Sequence, residues 1–293
     1  MSEFGVYVHI PFCRHRCDYC AFATWTDRDH LMVAYVDAVI ADIERTVKSG
    51  MPVADTVFFG GGTPTRLAPE LLASIVNAIP VTSNAEITIE CNPDDVTVEM
   101  MKIYAAAGVN RISMGVQSMV EHVLQSLNRT HDPANVVKAI AAAREGGITS
   151  INLDLIYGVH GESVDDWRTT VEQTIALQPT HISAYGLTVE AGTPLAEDPS
   201  RHPDDDDQAD KYVLADDLFS AAGLMNYEIS NWALAGHECR HNQVYWSQGN
   251  YTGFGCAAHS HLDGRRWWNV RTPDRYIDCV AKNETVEASD EVL

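Results

Sequence analysis

Two periods of apolar and polar positions alternate along the first two thirds of the chain. Short runs rich in β-branched and aromatic residues, at 6–10, 55–59, 86–90, 111–116, 150–156 and 181–185, read as strands. Between them, segments 31–43, 69–78, 98–107, the turns through Leu124, then 135–145 and 164–177 carry apolar residues at helical spacing. Strands alternating with helices predict an α/β fold with a parallel sheet joined by right-handed crossovers. The expected form is a partial (β/α)6 TIM-type barrel over residues 1–190, followed by an α+β extension over 191–293.

Chemistry in parallel barrels gathers at the C-terminal ends of the strands, where the following loops meet. Here those ends hold residues that packing does not ask for. The first run empties into Cys13, Cys17 and Cys20, the second into Gly60-Gly61-Gly62-Thr63, and the third into Glu90-Cys91-Asn92-Pro93; the fourth ends in Gln117-Ser118 and the fifth carries Asp154. One such residue reads as a helix cap or a turn, whereas five around one rim predict a site.

The C-x3-C-x2-C spacing brings three sulfurs within reach of one inorganic centre. Zinc is one candidate, with His9 or His15 completing a tetrahedron. A [4Fe–4S] cluster is the other; it takes four cysteines as a rule, so three leave one iron open to another ligand. The absence of a second ligand pair nearby favours the cluster. The glycine triplet would let backbone groups approach a ligand closely, and Thr63 adds a hydroxyl. Alone, Gly60 to Thr65 reads as a tight turn; beside the cysteine loop it reads as a clamp for a zwitterionic amino acid.

Composition narrows the function further. The 293 residues are 45% hydrophobic, enough for a sizeable core. A net charge of −21 opposes binding to nucleic acid or an anionic membrane. No apolar stretch approaches the roughly 18 residues of a membrane span, and the first residues lack a signal peptide's pattern, so a cytoplasmic location is expected. Seven cysteines, three of them clustered, suit a reducing compartment and a metal site better than a disulfide framework. Cys91, Cys239, Cys256 and Cys279 read as buried, inert thiols, Cys239 being notable for its closeness to His241. The run Asp204–Asp207 reads as a solvated helix start.

With Cys13/Cys17/Cys20 and Gly60-Gly-Gly-Thr-Pro-Thr65, the chain resembles radical S-adenosylmethionine (SAM) proteins of the oxygen-independent coproporphyrinogen oxidase-like group, and within it the HemW-type haem chaperone branch. The resemblance implies that the three cysteines hold a [4Fe–4S] cluster whose open iron is chelated by the amino and carboxylate groups of SAM. It places Tyr7 and Tyr19 beside the cofactor and Gly61, Gly62 and Thr63 around the methionine amino end. Glu90, Gln117, Arg129 and Asp154 would line the rest of the SAM or substrate pocket.

Phe22 stands where the dehydrogenase branch carries a fourth cysteine, which points to the chaperones. So do Tyr227–Trp232, the His241-Asn242-x-x-Tyr245-Trp246 motif associated with haem, and Tyr251–Ser260. His241 is the haem candidate, with a structural histidine in an aromatic satellite core as the other reading, and His259 and His261 as alternative ligands. Family members usually continue into a further helical domain, so the resemblance implies either that this chain is truncated before that domain or that the domain is absent.

The implied function is a chaperone that binds cluster, SAM and haem and delivers haem to haem proteins such as respiratory-chain components, with a homodimer allowed for. It is expected to lack coproporphyrinogen dehydrogenase activity. The rival is a coproporphyrinogen III oxidase working through a 5′-deoxyadenosyl radical, and a zinc-stapled barrel is a third reading.

Overall fold

The structure, a computed structural model, describes residues 3–293. Six parallel strands follow the expected order: β1 (Gly5–Ile10), β2 (Ala54–Gly61), β3 (Val81–Cys91), β4 (Arg111–Gln117), β5 (Ser150–Tyr157) and β6 (His181–Gly186). The helices between them are α1 (Met32–Lys48), α2 (Pro69–Ala78), α3 (Val98–Ala106), α4 (Glu121–Ser126), α5 (Pro133–Glu145) and α6 (Val164–Ala176). Their starts are set locally. Thr97 caps α3 through its side chain, and Ser163 and Asp166 form a reciprocal capping box on α6. Asp204 accepts from the Asp207 amide at the head of α7 (Asp205–Ala221), which bears out the helix start read from the acidic run.

The remaining elements are β7 (Met225–Glu228), β8 (Asn231–Ala233), α8 (Arg240–Trp246), β9 (Tyr251–Phe254), β10 (His259–Leu262), β11 (Arg265–Asn269), α9 (Pro273–Ala281) and β12 (Glu287–Val292). The sheet runs β12-β11-β10-β9-β1-β2-β3-β4-β5-β6-β8-β7. It stays open, so the barrel is partial, as expected. β9 pairs parallel to β1, whereas β8 runs antiparallel to β6, so the chain after β6 extends both flanks of the parallel core.

Strand alternation sorts the side chains onto two faces. Val6, Val8 and Ile10 of β1 are fully buried, in one core with Val36, Val39 and Ile43 of α1. The other face bears Tyr7, His9, Thr56, Phe58, Glu90, Ser113, Asn152, Asp154, His181 and Ser183. That face is polar, and His9, Thr56, Ser113, Asn152, His181 and Ser183 on it are buried, while Tyr7, Phe58, Glu90 and Asp154 keep partial exposure. Helix α8 closes one end of it: His241 stacks on Phe58 at 5.4 Å, and the His241 backbone N–H donates to Glu86.

A buried ion cluster ties α7 to the loop before α6. Lys211 Nζ lies 3.0 Å from Glu162 and 2.7 Å from Asp207, with the Lys211 and Glu162 side chains fully buried. Removing one partner strands the other charge in low dielectric. Lys211→Met is therefore expected to destabilise the protein by about 3–5 kcal/mol, read from urea unfolding; a change below about 1 kcal/mol would show that the cluster contributes little.

Candidate cofactor site at the open end of the barrel

The loop after β1 carries the three cysteines and is closed at its base. Phe12 bridges to Trp25, and the backbone bonds Cys13 N–H to Trp25 O (3.0 Å) and Trp25 N–H to Pro11 O (2.8 Å) complete the tie. Asp18 anchors the far side, accepting from Asn128 at 2.8 Å and from Arg201 at 2.9 Å. Between these anchors Cys13, Cys17 and Cys20 are half-buried free thiols.

The three sulfurs influence one another. Burial pushes the Cys13 thiol up to about 11, with Cys20 and Cys17 adding to the shift and a Thr63 hydrogen bond opposing it. Burial, again with Cys17 contributing, raises Cys20. Two donors face this trio: the Thr63 hydroxyl toward Cys13 and Arg129 Nη1 toward Cys17, each at 3.7 Å. Burial works against the Arg129 charge, but the Tyr19 hydroxyl and the Cys17 sulfur outweigh it and raise its proton affinity.

Among the described residues no three His, Cys, Asp or Glu side chains converge on a single-ion site. His9 turns away from the cysteines: its Nε2 is 2.9 Å from Ala23 O and its Nδ1 3.1 Å from Tyr7 Oη, and burial lowers it to about 4. His15 is exposed. Of the three neighbouring thiols, Cys13 and Cys20 are disfavoured as thiolates by burial and by the sulfurs beside them, and such a trio calls for a multi-charged cationic partner. The donor set therefore fits an iron–sulfur cube gripped at three corners.

The glycine turn is locked onto this loop. Gly62 N–H donates to Ile10 O and Thr63 N–H to Phe12 O, both at 2.8 Å. A Cβ on Gly62 would meet Phe12 O at 2.8 Å and Cys13 Sγ at 3.0 Å, so only glycine fits there. Gly61 sits at φ 111°, where a Cβ would strike the His9 ring at 2.4 Å. Its N–H donates to Glu90 Oε2 at 3.2 Å.

Glu90 and Asp154 face the same cleft. Burial pushes the Glu90 carboxyl up to about 8, Asp154 adding to the shift and the Gly61 bond opposing it. Burial raises Asp154 too, against hydrogen bonds from Ser113 (2.8 Å) and Asn152 (2.8 Å). Asn152 Oδ1 in turn accepts from His181 Nδ1 at 2.6 Å, and His181 Nε2 lies 2.7 Å from Tyr227 Oη. Ser113, Asn152 and His181 are absent from the expected site residues, and Tyr227 enters only as part of the chaperone-like segment Tyr227–Trp232. The signal was there for three of them, as polar residues on the same alternating face as Glu90 and Asp154 within apolar strands.

Gln117, at φ 65° where β4 bulges, and Arg129, whose Nη2 donates to Gly115 O at 2.7 Å, complete the rim. The Tyr7 ring stacks on Phe58 at 6.5 Å, on the floor beneath. The Tyr19 hydroxyl adjoins Cys17 and Arg129. Most of the residues expected at one site thus neighbour one another at the strand ends, Tyr7 lies on the floor with Phe58, and one residue stands apart.

That residue is His241. It is fully buried in the floor, its Nδ1 2.8 Å from Thr56 Oγ1 and its Nε2 2.8 Å from Tyr245 Oη, and burial lowers it to about 3. Direct ligation by this ring requires breaking one of those bonds.

The radical SAM superfamily profile matches residues 7–174. The heme chaperone HemW of Mycobacterium tuberculosis (strain ATCC 25618 / H37Rv) is 41% identical over 292 residues, covering 96% of this chain and 75% of that protein. The chain belongs to the radical SAM superfamily, in its HemW heme-chaperone family. The HemW of Escherichia coli (strain K12) is 36% identical over 307 residues, covering 99% of this chain and 80% of its own. The solved structure of E. coli coproporphyrinogen III oxidase (HemN), described as a radical SAM enzyme, superposes with a TM-score of 0.88 at 23% identity, covering 100% of this chain and 72% of that one. That last likeness concerns the fold alone. Superfamily membership brings a [4Fe–4S] cluster and SAM as cofactors. No helix among the described residues is long and apolar enough to cross a membrane.

Proposed function

We propose that this chain is a cytoplasmic carrier that binds haem and hands it to haem proteins, respiratory-chain components among them, and that it works as a homodimer. The observation that carries the reading is the 41% identity to a heme chaperone across 96% of the chain. Phe22 supports it locally: the position that the dehydrogenase branch fills with a fourth cysteine holds a phenyl ring that is 68% exposed.

Cys13, Cys17 and Cys20 hold the cluster, with Arg129 and Thr63 donating toward its sulfur ligands. Bound there, the cluster supplies an open coordination position and an electron relay for the methionine end of SAM. Gly61, Gly62 and Thr63 receive the amino end of that moiety, since their backbone lies against the cysteine loop. Tyr7 and Tyr19 shield the cofactor from water, and Gln117 orients polar groups at the rim. Glu90 and Asp154 accept from ribose hydroxyls and favour the sulfonium charge.

The test is transfer. Haem-loaded protein mixed with the apo form of a haem protein is expected to lose its haem absorbance as the acceptor gains its own, while anaerobic incubation with coproporphyrinogen, SAM and reductant yields no protoporphyrinogen. Protoporphyrinogen formation at the rate of a genuine oxidase, or no transfer, would overturn the assignment.

A further inference from the structure

Three C-terminal histidines stand near one another, and their rings differ in availability. His241 has both nitrogens engaged. The buried His261 ring lies 2.9 Å from Gly249 O through Nδ1 and accepts from the Gly264 N–H through Nε2 at 3.2 Å. His259, on the same strand and the same face as His261, is exposed, and its ring makes no hydrogen bond among the described residues.

Its surroundings form an aromatic shelf that continues the barrel floor. The His259 ring packs at 5.6 Å and 30° on Trp268, its partner across the β10–β11 pair. On the same face the Tyr251 ring lies 6.2 Å from His261 and 4.5 Å from Tyr245, whose hydroxyl meets His241. The motif around His241 therefore builds the backing of this shelf, while His259 stands at its accessible edge. Trp268, Tyr245 and Tyr251 offer flat, half-buried surface suited to a macrocycle. Arg266, two residues from Trp268 and so on the same face, brings a cation near the ring, although it pairs with Glu291 at 2.6 Å.

Resting on the haem-binding reading above, we propose that His259 is the axial ligand of bound haem, the iron docking at its free imidazole nitrogen and the macrocycle lying against the Trp268–Tyr251 shelf. The step is coordination only: an imidazole lone pair replaces a water on ferric iron, with no electron transferred. A neutral ring is needed, and the partial burial of the His259 ring, with the Arg266 charge adding to it, lowers its proton affinity and so favours the neutral form.

The test is titration of the full chain with ferric haem, followed by absorbance and by electron paramagnetic resonance of the iron. Wild type is expected to bind saturably with a nitrogen-ligated spectrum. His259→Ala should lose that spectrum and bind at least about tenfold more weakly, and added imidazole should restore the spectrum. His259→Gln, which keeps the bulk on Trp268, should behave like the alanine variant and guards against misfolding of the smaller one. If both variants keep the wild-type spectrum and affinity, the His259 assignment fails and haem binding stands. If wild type binds no haem saturably, both fall.

Discussion

Cys17→Ser is expected to abolish the iron centre: after anaerobic reconstitution, wild type should hold about four irons per chain and the variant close to none. The expectation rests on the number of donors. With three protein sulfurs, losing one leaves two, and the remaining cysteines, Cys91, Cys239, Cys256 and Cys279, are all buried rather than part of the cysteine loop. Cys91→Ser should accordingly load like wild type.

The same reasoning gives a pH dependence. Cys13 is protonated in the empty protein at neutral pH, because its thiol is pushed up to about 11, and metal ligation requires the thiolate. Loading therefore releases protons, and affinity should rise with pH by up to about tenfold per unit for each proton released, throughout the range below about 11. Iron and sulfide assays on protein loaded at pH 7 and pH 9 measure this. Equal occupancy at limiting iron, or normal iron in Cys17→Ser, would show that the trio is not the binding site.

How much of this was legible in the sequence depends on which physical signal each part leaves. The six parallel strands have a dense core on one face, so their apolar runs stand out, and 69–78 was read to the residue as α2. β3 starts at Val81, ahead of the reading, because Thr82, Ser83 and Asn84 are not buried and carry no apolar pattern. The strands β7–β11, three to five residues each, are too short to establish a period, and β12 is a mostly exposed, acidic run without an apolar pattern.

The cysteine loop and the glycine clamp were legible because their residue types have few other uses at such spacing. The support of Asp154 by Ser113, Asn152 and His181 depends on three strands being brought side by side, which no local pattern encodes. His241 was open between haem ligand and structural ring because a buried, satisfied imidazole and a ligating one look alike in sequence. What separates them is the pairing of their nitrogens with Thr56 and Tyr245, far apart and near in the chain respectively.

Glu90→Gln is expected to weaken SAM binding by at least about tenfold at pH 8 and to remove most of its pH dependence. Glu90 faces Asp154 in a partly dehydrated cleft, and its carboxyl is pushed up to about 8. In the empty protein it is therefore mostly protonated at pH 7. A sulfonium ligand favours the ionised form, so binding expels the proton, and affinity should climb with pH by up to about tenfold per unit until about 8, then level off.

The variant retains the titration of the ligand's own amino group, so the difference between the two pH profiles isolates Glu90. The empty protein supplies an independent check. Its folded state holds a proton up to about 8 that the unfolded chain releases near 4.5, so stability contributed at this position falls as pH rises between those values and stays low above them. Glu90→Gln lacks that fall and should gain on wild type in thermal unfolding at pH 9 relative to pH 4. A wild-type SAM affinity that is flat from pH 6 to pH 9, measured by calorimetry on the cluster-loaded protein, would mean that Glu90 does not face the ligand's charge.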